Sequence, residues 1–397
     1  MPEQFLHGVE VIEIDTGVRP IRTVTSSIIG LVGTAAQGPV NEPVLITGSR
    51  KQAVETFGEP DGVHSIPDAL DAIFDQIGAT VVAVRVEDGA DEGQTLNNII
   101  GGVDKETGNY LGVHALLGAE TTVHVTPRIM IAPGFTHQRP LDTDGKPAAN
   151  PVLNELLGIA KRLRAVIVAD GPNTTDAAAI EYRKGLGSAR VYVVDPWVKA
   201  WDPRSETVRM MPASARVAGL IARSDNTRGF WWSPSNQEIY GILGTARPVD
   251  FTLRDVSARA NLLNENGVAT IIHQEGYRLW GNRSTSADPK WAFLSVRRTA
   301  DLINDSLLRA HLWAVDRNVT RTYIEDITEG VNGYLRQLIA LGAILGGRCW
   351  ADPDLNTPDQ IAQGNVYFNF DFTPPYPAEH ITFRSHLVQQ YLEELVA

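Results

Sequence analysis

Cysteine is almost missing from this chain: Cys349 stands alone among 397 residues. No internal disulfide can form, and no cysteine-based metal site is available. Positive charge is also scarce, with 35 Lys and Arg against 47 Asp and Glu, for a net charge of −12. That balance argues against broad contact with a phosphate backbone or an anionic membrane surface. Long apolar runs are lacking too. The longest, around Leu338 to Leu345, is far too short to span a bilayer. The opening MPEQFLHGVEVIEID has neither a basic region nor an apolar run before a small-residue cleavage site. The expectation is a chain that folds in the cytosol, without membrane insertion and without direct nucleic-acid binding. No repeat or low-complexity tract appears, and 43% hydrophobic with 21% charged residues is ordinary globular composition, enough for two or three domains.

What is present is an alternation of strand-like and helix-like segments. Val9 to Ile14 is a short, acidic, isolated strand-like run, as compatible with an extended arm as with a core strand. Ser27 to Val32 and Val44 to Thr47 read as buried strands, and Ser49 can cap a helix that runs to Phe57 and closes at Gly58. Pro67 suits the first turn of another helix, and Thr80 to Val86 is a β-branched run expected to be covered on both faces. From Glu87 to Asn150 the pattern weakens around one clear strand, Arg128 to Ala132, which predicts an inserted or peripheral element. Regular order resumes with helices over 153–163, 174–184 and 212–223 and strands over 165–169, 190–194 and 268–273, as in a parallel doubly wound sheet. Two amphipathic helices, Thr299 to Val315 and Thr320 to Leu345, are expected to pack as a pair.

Near the C-terminus, GNVYFNFDFTPPYPAEHITFRSHLV holds two alternating stretches. Val366, Phe368, Phe370 and Phe372 share one side of a period-two ladder. Burying those four side chains would contribute roughly 6–12 kcal/mol, so the strand calls for a covering surface and paired edges. Ile381, Phe383 and Leu387 then alternate with polar neighbours, but Pro374, Pro375 and Pro377 exclude a tight hairpin between the two runs. A strand held out in this way can find its partner on another subunit.

Catalytic patterns are weak. Gly30, Gly33 and Gly38 do not make a dinucleotide spacing, and a proline loop follows where a helix N-terminus would be needed. Asp170 and Asp195 end consecutive strands, where a catalytic carboxylate could sit, but turn formers and caps occur at the same places. There is no nucleophile elbow, and the nine histidines form no ligand set. Trp231 and Trp232 could stack on a base or sugar, yet lack a basic surround. No catalytic residue, metal ligand or cofactor is therefore assigned. The alternatives kept open are an α/β-fold hydrolase or small-molecule-binding enzyme, and a carbohydrate- or peptide-binding module built on Trp231 and Trp232.

Three stretches point to a family: NENGVATIIHQEGYRLWGNRSTS (264–286), VRRTADLINDSL (296–307) and GAILGGRCWADPDLNTPDQIAQGNVYFNFDFTPPYPAEHITF (342–383). With GPVNEPVLITGSRKQAVETFG (38–58) they resemble, in order and nearly end to end, the sheath proteins of contractile phage tails, in particular the shorter sheaths of P2-like phages and R-type bacteriocins. The resemblance implies an α/β fold: a subtilisin-like, mostly parallel sheet domain plus an α+β C-terminal domain, with extended N- and C-terminal strand arms. The corresponding division is 1–25 linking arm, 26–95 N-terminal α/β part, 96–150 inserted or peripheral element, 151–285 subtilisin-like domain, 286–377 C-terminal sheath domain and 378–397 C-terminal strand and arm. It does not imply protease activity, because Gly244-Thr245-Ala246 has alanine where a nucleophilic serine would be needed.

It implies instead a structural subunit, polymerised as stacked hexameric rings around a tail tube, that contracts to drive the tube through a bacterial envelope. The implied partners are other copies of the chain, the tube protein, and baseplate and terminator proteins, in a phage-tail virion particle assembled in the host cytoplasm. Val9, Val11, Ile12 and Ile14, with Ile381, Phe383 and Leu387, match the exchanged arms in position, and Val366, Phe368, Phe370 and Phe372 match the receiving sheet. The linkers Gly17 to Pro20 and Thr373 to Pro377 are expected to act as hinges. The exposed side of the two C-terminal helices, with Arg297, Arg298 and Arg309, is the candidate tube contact.

Overall fold

The computed structural model describes residues 20–141, 144–145, 147–389 and 391. Val9, Val11, Ile12 and Ile14 lie outside the described residues.

Six strands form the main sheet: β1 (Ile29–Thr34), β2 (Pro43–Thr47), β3 (Thr80–Val86), β4 (Ile129–Ile131), β5 (Val166–Asp170) and β6 (Val191–Val194), in the order β2-β3-β1-β4-β5-β6. All neighbours run parallel except β2, which lies antiparallel along β3 at one edge. The β-branched runs of β1 and β3 are apolar on both faces because both faces are covered. Ile29 and Leu31 of β1, with Val81 and Ala83 of β3, enter one core cluster. Val32, with Val82 and Val84, enters the other.

The first face carries α1 (Arg50–Phe57), α2 (Ser65–Phe74) and α6 (Ser214–Arg228), which contribute Phe57, Leu70, Ile73, Leu220 and Ile221. Helices α2 and α6 approach so closely that a Cβ on Gly219 would stand 2.8 Å from the Ile73 carbonyl oxygen. The opposite face carries α3 (Glu92–Ile100), α4 (Pro151–Leu163) and α5 (Asp176–Lys184), with Ile99, Leu156, Ile159 and Tyr182 inward. Local chemistry sets where these helices start. Ser49, Asp91, Asn150 and Thr175 each accept a hydrogen bond from a backbone N–H of the first turn, and Pro151 supplies a preset φ.

Strand β4 corrects one expectation. Its sequence lies in the stretch assigned to a peripheral element, yet it is a middle strand that joins the earlier and later halves into one sheet. An antiparallel hairpin, β7 (Val198–Asp202) and β8 (Thr207–Met211), follows β6 and is absent from the sequence reading. The expected 268–273 strand is β9 (Thr270–His273), paired with β10 (Tyr277–Trp280) and tied to the main sheet by the Val194–Ala269 bridge.

The third core cluster belongs to the C-terminal part. Helix α8 (Leu294–Ala310) contributes Leu302 and Ile303, and α9 (Arg321–Ala340) contributes Ile327, Val331, Tyr334, Leu335 and Leu338. Both helices end short of their expected limits, α8 at Ala310 and α9 at Ala340. They share this core with the first described residues, 20–28, which form no strand. Ile21 is buried in it, Thr23 Oγ1 lies 2.9 Å from the Tyr334 hydroxyl, and the Val24 amide donates to Ser306 Oγ at 3.0 Å. Strands β11 (Gly346–Ala351) and β12 (Phe368–Thr373) pair antiparallel beside α9. No described helix is long and apolar enough to cross a membrane.

Candidate assembly surfaces

Among the described residues, the β11–β12 pair is a sheet of two strands. Phe368, Phe370 and Phe372 alternate inward from β12 onto the third core, with the Phe370 and Phe372 rings stacked 6.1 Å apart. Val366 precedes the strand instead of belonging to its ladder, a correction to the four-residue pattern. On the β11 side, α9 covers the edge: Asn332 accepts from the Cys349 amide at 2.7 Å and donates to the Cys349 carbonyl at 3.0 Å. Among the described residues, no strand pairs along the other edge of β12. Burial pushes the Cys349 thiol up to about 11, so it stays protonated near neutral pH.

After β12 the chain does not swing free at once. Pro374 is buried, the Tyr376 ring meets Phe293 edge-on with centroids 6.0 Å apart, and Arg283 grips Glu379 with contacts of 2.6 and 3.0 Å. The proline stretch expected to hinge is thus pinned to the body at two points. Residues 380–389 then form no strand or helix, and every one of them is exposed. Ile381 is 69% exposed, Phe383 93% and Leu387 fully so, which leaves three apolar side chains in water.

Helix α8 closes the opposite end of the sheet. Residues 297, 301, 305 and 309 recur at intervals of four, one face of a helix. Asp301, 2% exposed, takes a bidentate bond from Arg190 just before β6 and another from Arg297. Asp305 pairs with Arg128 just before β4 and with Arg309 at 2.9 Å. Arg298, 4% exposed, holds Asp225 of α6 at 2.8 Å and reaches the Ser26 carbonyl ahead of β1. The helix is therefore bolted across the amino-terminal ends of the strands.

This overturns the expected exposure of Arg297 and Arg298. Both are largely buried and satisfied within the chain, and Arg297 also lies over the Trp291 ring. Arg309 keeps a 40% exposed side chain while bonding Asp305 and Glu120.

The carboxyl ends of the strands, where α/β enzymes bind ligands, are filled by the chain's own groups. Asp170, fully buried, accepts from the Ser214 amide at 2.8 Å and its hydroxyl at 2.5 Å, which caps α6. Desolvation pushes its pKa up to about 6. Asp195 accepts from the Asn173 amide at 2.8 Å and pairs with Arg247, which also grips Asp176 at 2.8 Å. A Cβ on Gly171 would lie 2.6 Å from the Asp195 carboxylate. The Ser214 hydroxyl bound to Asp170 is itself fully buried, so neither acid faces an accessible nucleophile. His114 pairs with Glu155 at 2.8 Å, Trp231 packs on the third core, and Trp232, 51% exposed, lies near Arg228. Among the described residues, no cluster of His, Cys, Asp or Glu is placed to hold a metal.

The sequence matches the phage tail sheath protein central domain over residues 108–285, the phage tail sheath C-terminal domain over 286–388, and the domain III N-terminal region of tail sheath protein Gp18 over 26–86. It is 44% identical to the putative prophage major tail sheath protein of Pseudomonas aeruginosa strain UCBPP-PA14, with 99% of each chain covered. The chain belongs to the phage tail sheath family. A second member, the tail sheath protein of Escherichia phage P2, is 36% identical over 99% of this chain and 98% of its own. The helical sheath of the anti-feeding prophage in its contracted state shares the fold, with a TM-score of 0.69 and 19% identity over 96% of this chain and 99% of that one. Members of the family are structural sheath proteins of contractile tails, not enzymes, and so is this chain.

Proposed function

We propose that the chain polymerises as stacked hexameric rings around a tail tube, and that its copies are linked by exchanged terminal arms while the sheath contracts. The observation that carries this reading is the presence of an exposed alternating segment, Ile381, Phe383 and Leu387, beside a two-stranded sheet that has no neighbour along β12 among the described residues. Each supplies what the other lacks: the edge offers unpaired main-chain groups, and the segment offers a strand to fill them. Val9, Val11, Ile12 and Ile14 supply the second arm in this scheme. Main-chain bonds of this kind persist while the bodies rotate, and denser packing of the bodies provides the work of contraction.

The strand order β2-β3-β1-β4-β5-β6 supports a subtilisin-like reading of the body, with antiparallel β2 as its departure. The tube contact belongs on the outward side of α9, where Arg321 and Glu325, and Arg336 and Glu329, form exposed pairs, together with Arg309 at the end of α8. Such polar contacts suit an attachment that must let go. Baseplate and terminator proteins complete the partner set, and assembly takes place in the host cytoplasm.

The test is electron microscopy of the purified chain at high concentration beside variants lacking residues 1–18 or 380–397. Tubes or rings from the full chain that vanish in both truncations are expected. Polymers that persist without either arm would refute arm exchange.

A further inference from the structure

The C-terminal arm has two available lengths, depending on whether residues 375–379 lie on the body. Two contacts hold them there. Arg283 forms a bidentate pair with Glu379, at 2.6 and 3.0 Å, and its guanidinium lies 5.2 Å from the centre of the Phe293 ring. The far side of the set is the edge-on contact of Phe293 with Tyr376. Arg283 and Phe293 are themselves fixed to each other by an antiparallel bridge, and the Leu294 amide donates to the Asn282 carbonyl at 3.0 Å, so the clasp stands on rigid backbone. Its moving half is different. The Arg283 and Glu379 side chains are 46% and 30% exposed, and Tyr376 is 52% exposed. Exposed pairs of this kind are screened by salt and readily exchanged for water.

We propose that Arg283, Phe293, Tyr376 and Glu379 form a releasable latch that sets the take-off point and the reach of the C-terminal arm. Closed, it makes His380 the first free residue and aims the arm in one direction. Open, it frees residues 375–379 as well, up to the buried Pro374, which adds about 17 Å of reach at about 3.3 Å per extended residue. A tether of two lengths lets one arm stay joined to its neighbour across two spacings of the subunits. The proline content of the released stretch keeps it extended instead of letting it collapse. The link to assembly rests on the arm-exchange reading given above; the latch itself does not.

The latch is tested first in the full-length, unassembled chain. Spin labels on Ala287→Cys and His380→Cys, both at exposed positions, report the distance from the body to the latched end of the arm, while buried, protonated Cys349 remains unlabelled. A narrow distance distribution is expected for the parent. It should broaden toward longer distances in Arg283→Glu and in 1 M salt, and narrow again in the charge-swapped Arg283→Glu/Glu379→Arg chain. Thermal unfolding of each variant shows that the body is intact. A distribution unchanged by Arg283→Glu would overturn the latch.

The second measurement is electron microscopy of assembled sheaths. Arg283→Glu should alter the subunit spacing or lower the fraction of chains in polymers, with recovery in the double variant. Parent-like sheaths from Arg283→Glu would overturn the role of the latch in assembly. Failure of arm exchange has a separate signature, namely polymers that survive deletion of residues 380–397.

Discussion

Of the arginine–carboxylate pairs that join distant parts of this chain, two differ in almost everything but chemistry. Arg298 and Asp225, with side chains 4% and 1% exposed, fasten α8 to α6 beneath the sheet. Arg283 and Glu379, at 46% and 30%, fasten the start of the arm to the surface. A buried pair cannot be half undone, because removing one partner leaves a desolvated charge. An exposed pair always has water as its substitute. The first arrangement suits a body that must remain one piece, and the second suits a contact that opens. Burial, not bond geometry, separates the permanent joint from the reversible one.

The comparison breaks most visibly at Arg298. Arg298→Ala strands Asp225 at a site with 1% side-chain exposure and should cost about 3–5 kcal/mol, read as a lowered denaturation midpoint. The paired change Arg298→Met with Asp225→Leu restores much of that loss if the stranded charge is the cause. A small effect of Arg298→Ala would mean that the clamp across the amino-terminal strand ends does not govern stability.

A third acid shows that burial can also act against stability. Asp170 titrates at about 6 in the folded chain against an ordinary 3.8, because desolvation outweighs its bonds to Ser214. The folded state therefore holds this proton more tightly than the unfolded state. The contribution is most favourable below pH 4 and is lost as pH rises through about 6. The gap corresponds to about 3 kcal/mol at 1.36 kcal/mol per pKa unit. Asp170→Asn removes the titration while keeping an oxygen to accept from the Ser214 amide. Relative to the parent, the variant should gain about 3 kcal/mol between pH 4 and pH 7 in urea unfolding. A parent–variant difference that is flat with pH would exclude Asp170 as the titrating group.

These residues also show what sequence can and cannot disclose. The helix start at Ser49 was legible because a cap acts within three residues. Strands β1 and β3 were legible because burial on both faces requires a continuous apolar run. Strand β4 was visible as a strand but not as a central one, since nothing local distinguishes a middle strand from a peripheral one. The β7–β8 hairpin was hidden because its outward face is apolar too, with Trp201, Val208 and Met210 each more than half exposed. Spacing could group Arg297, Asp301, Asp305 and Arg309 on one helix face, but not say whether that face met water or protein. The deciding partner of Arg298, Asp225, lies 73 residues earlier. Likewise Arg283 and Glu379 are 96 residues apart, so the pinned proline stretch read as a hinge. The separation of residues 380–389 from β12 was legible, because three prolines stand between the two runs.

The smallest expected effect is the one that sharpens the comparison. Arg283→Ala removes a bidentate pair with contacts as short as those of the buried clamp, so a purely geometric view assigns it a similar cost. Burial predicts otherwise. Both charges remain hydrated when the pair opens, so the change should lower unfolding stability by only about 0.2–1 kcal/mol. Moderate salt, which already screens the parent's pair, should shrink even that difference. Urea unfolding of parent and variant at low and at 0.5 M salt separates the two views. A loss of several kcal/mol insensitive to salt would place Arg283 among the permanent joints and leave the arm with a single length.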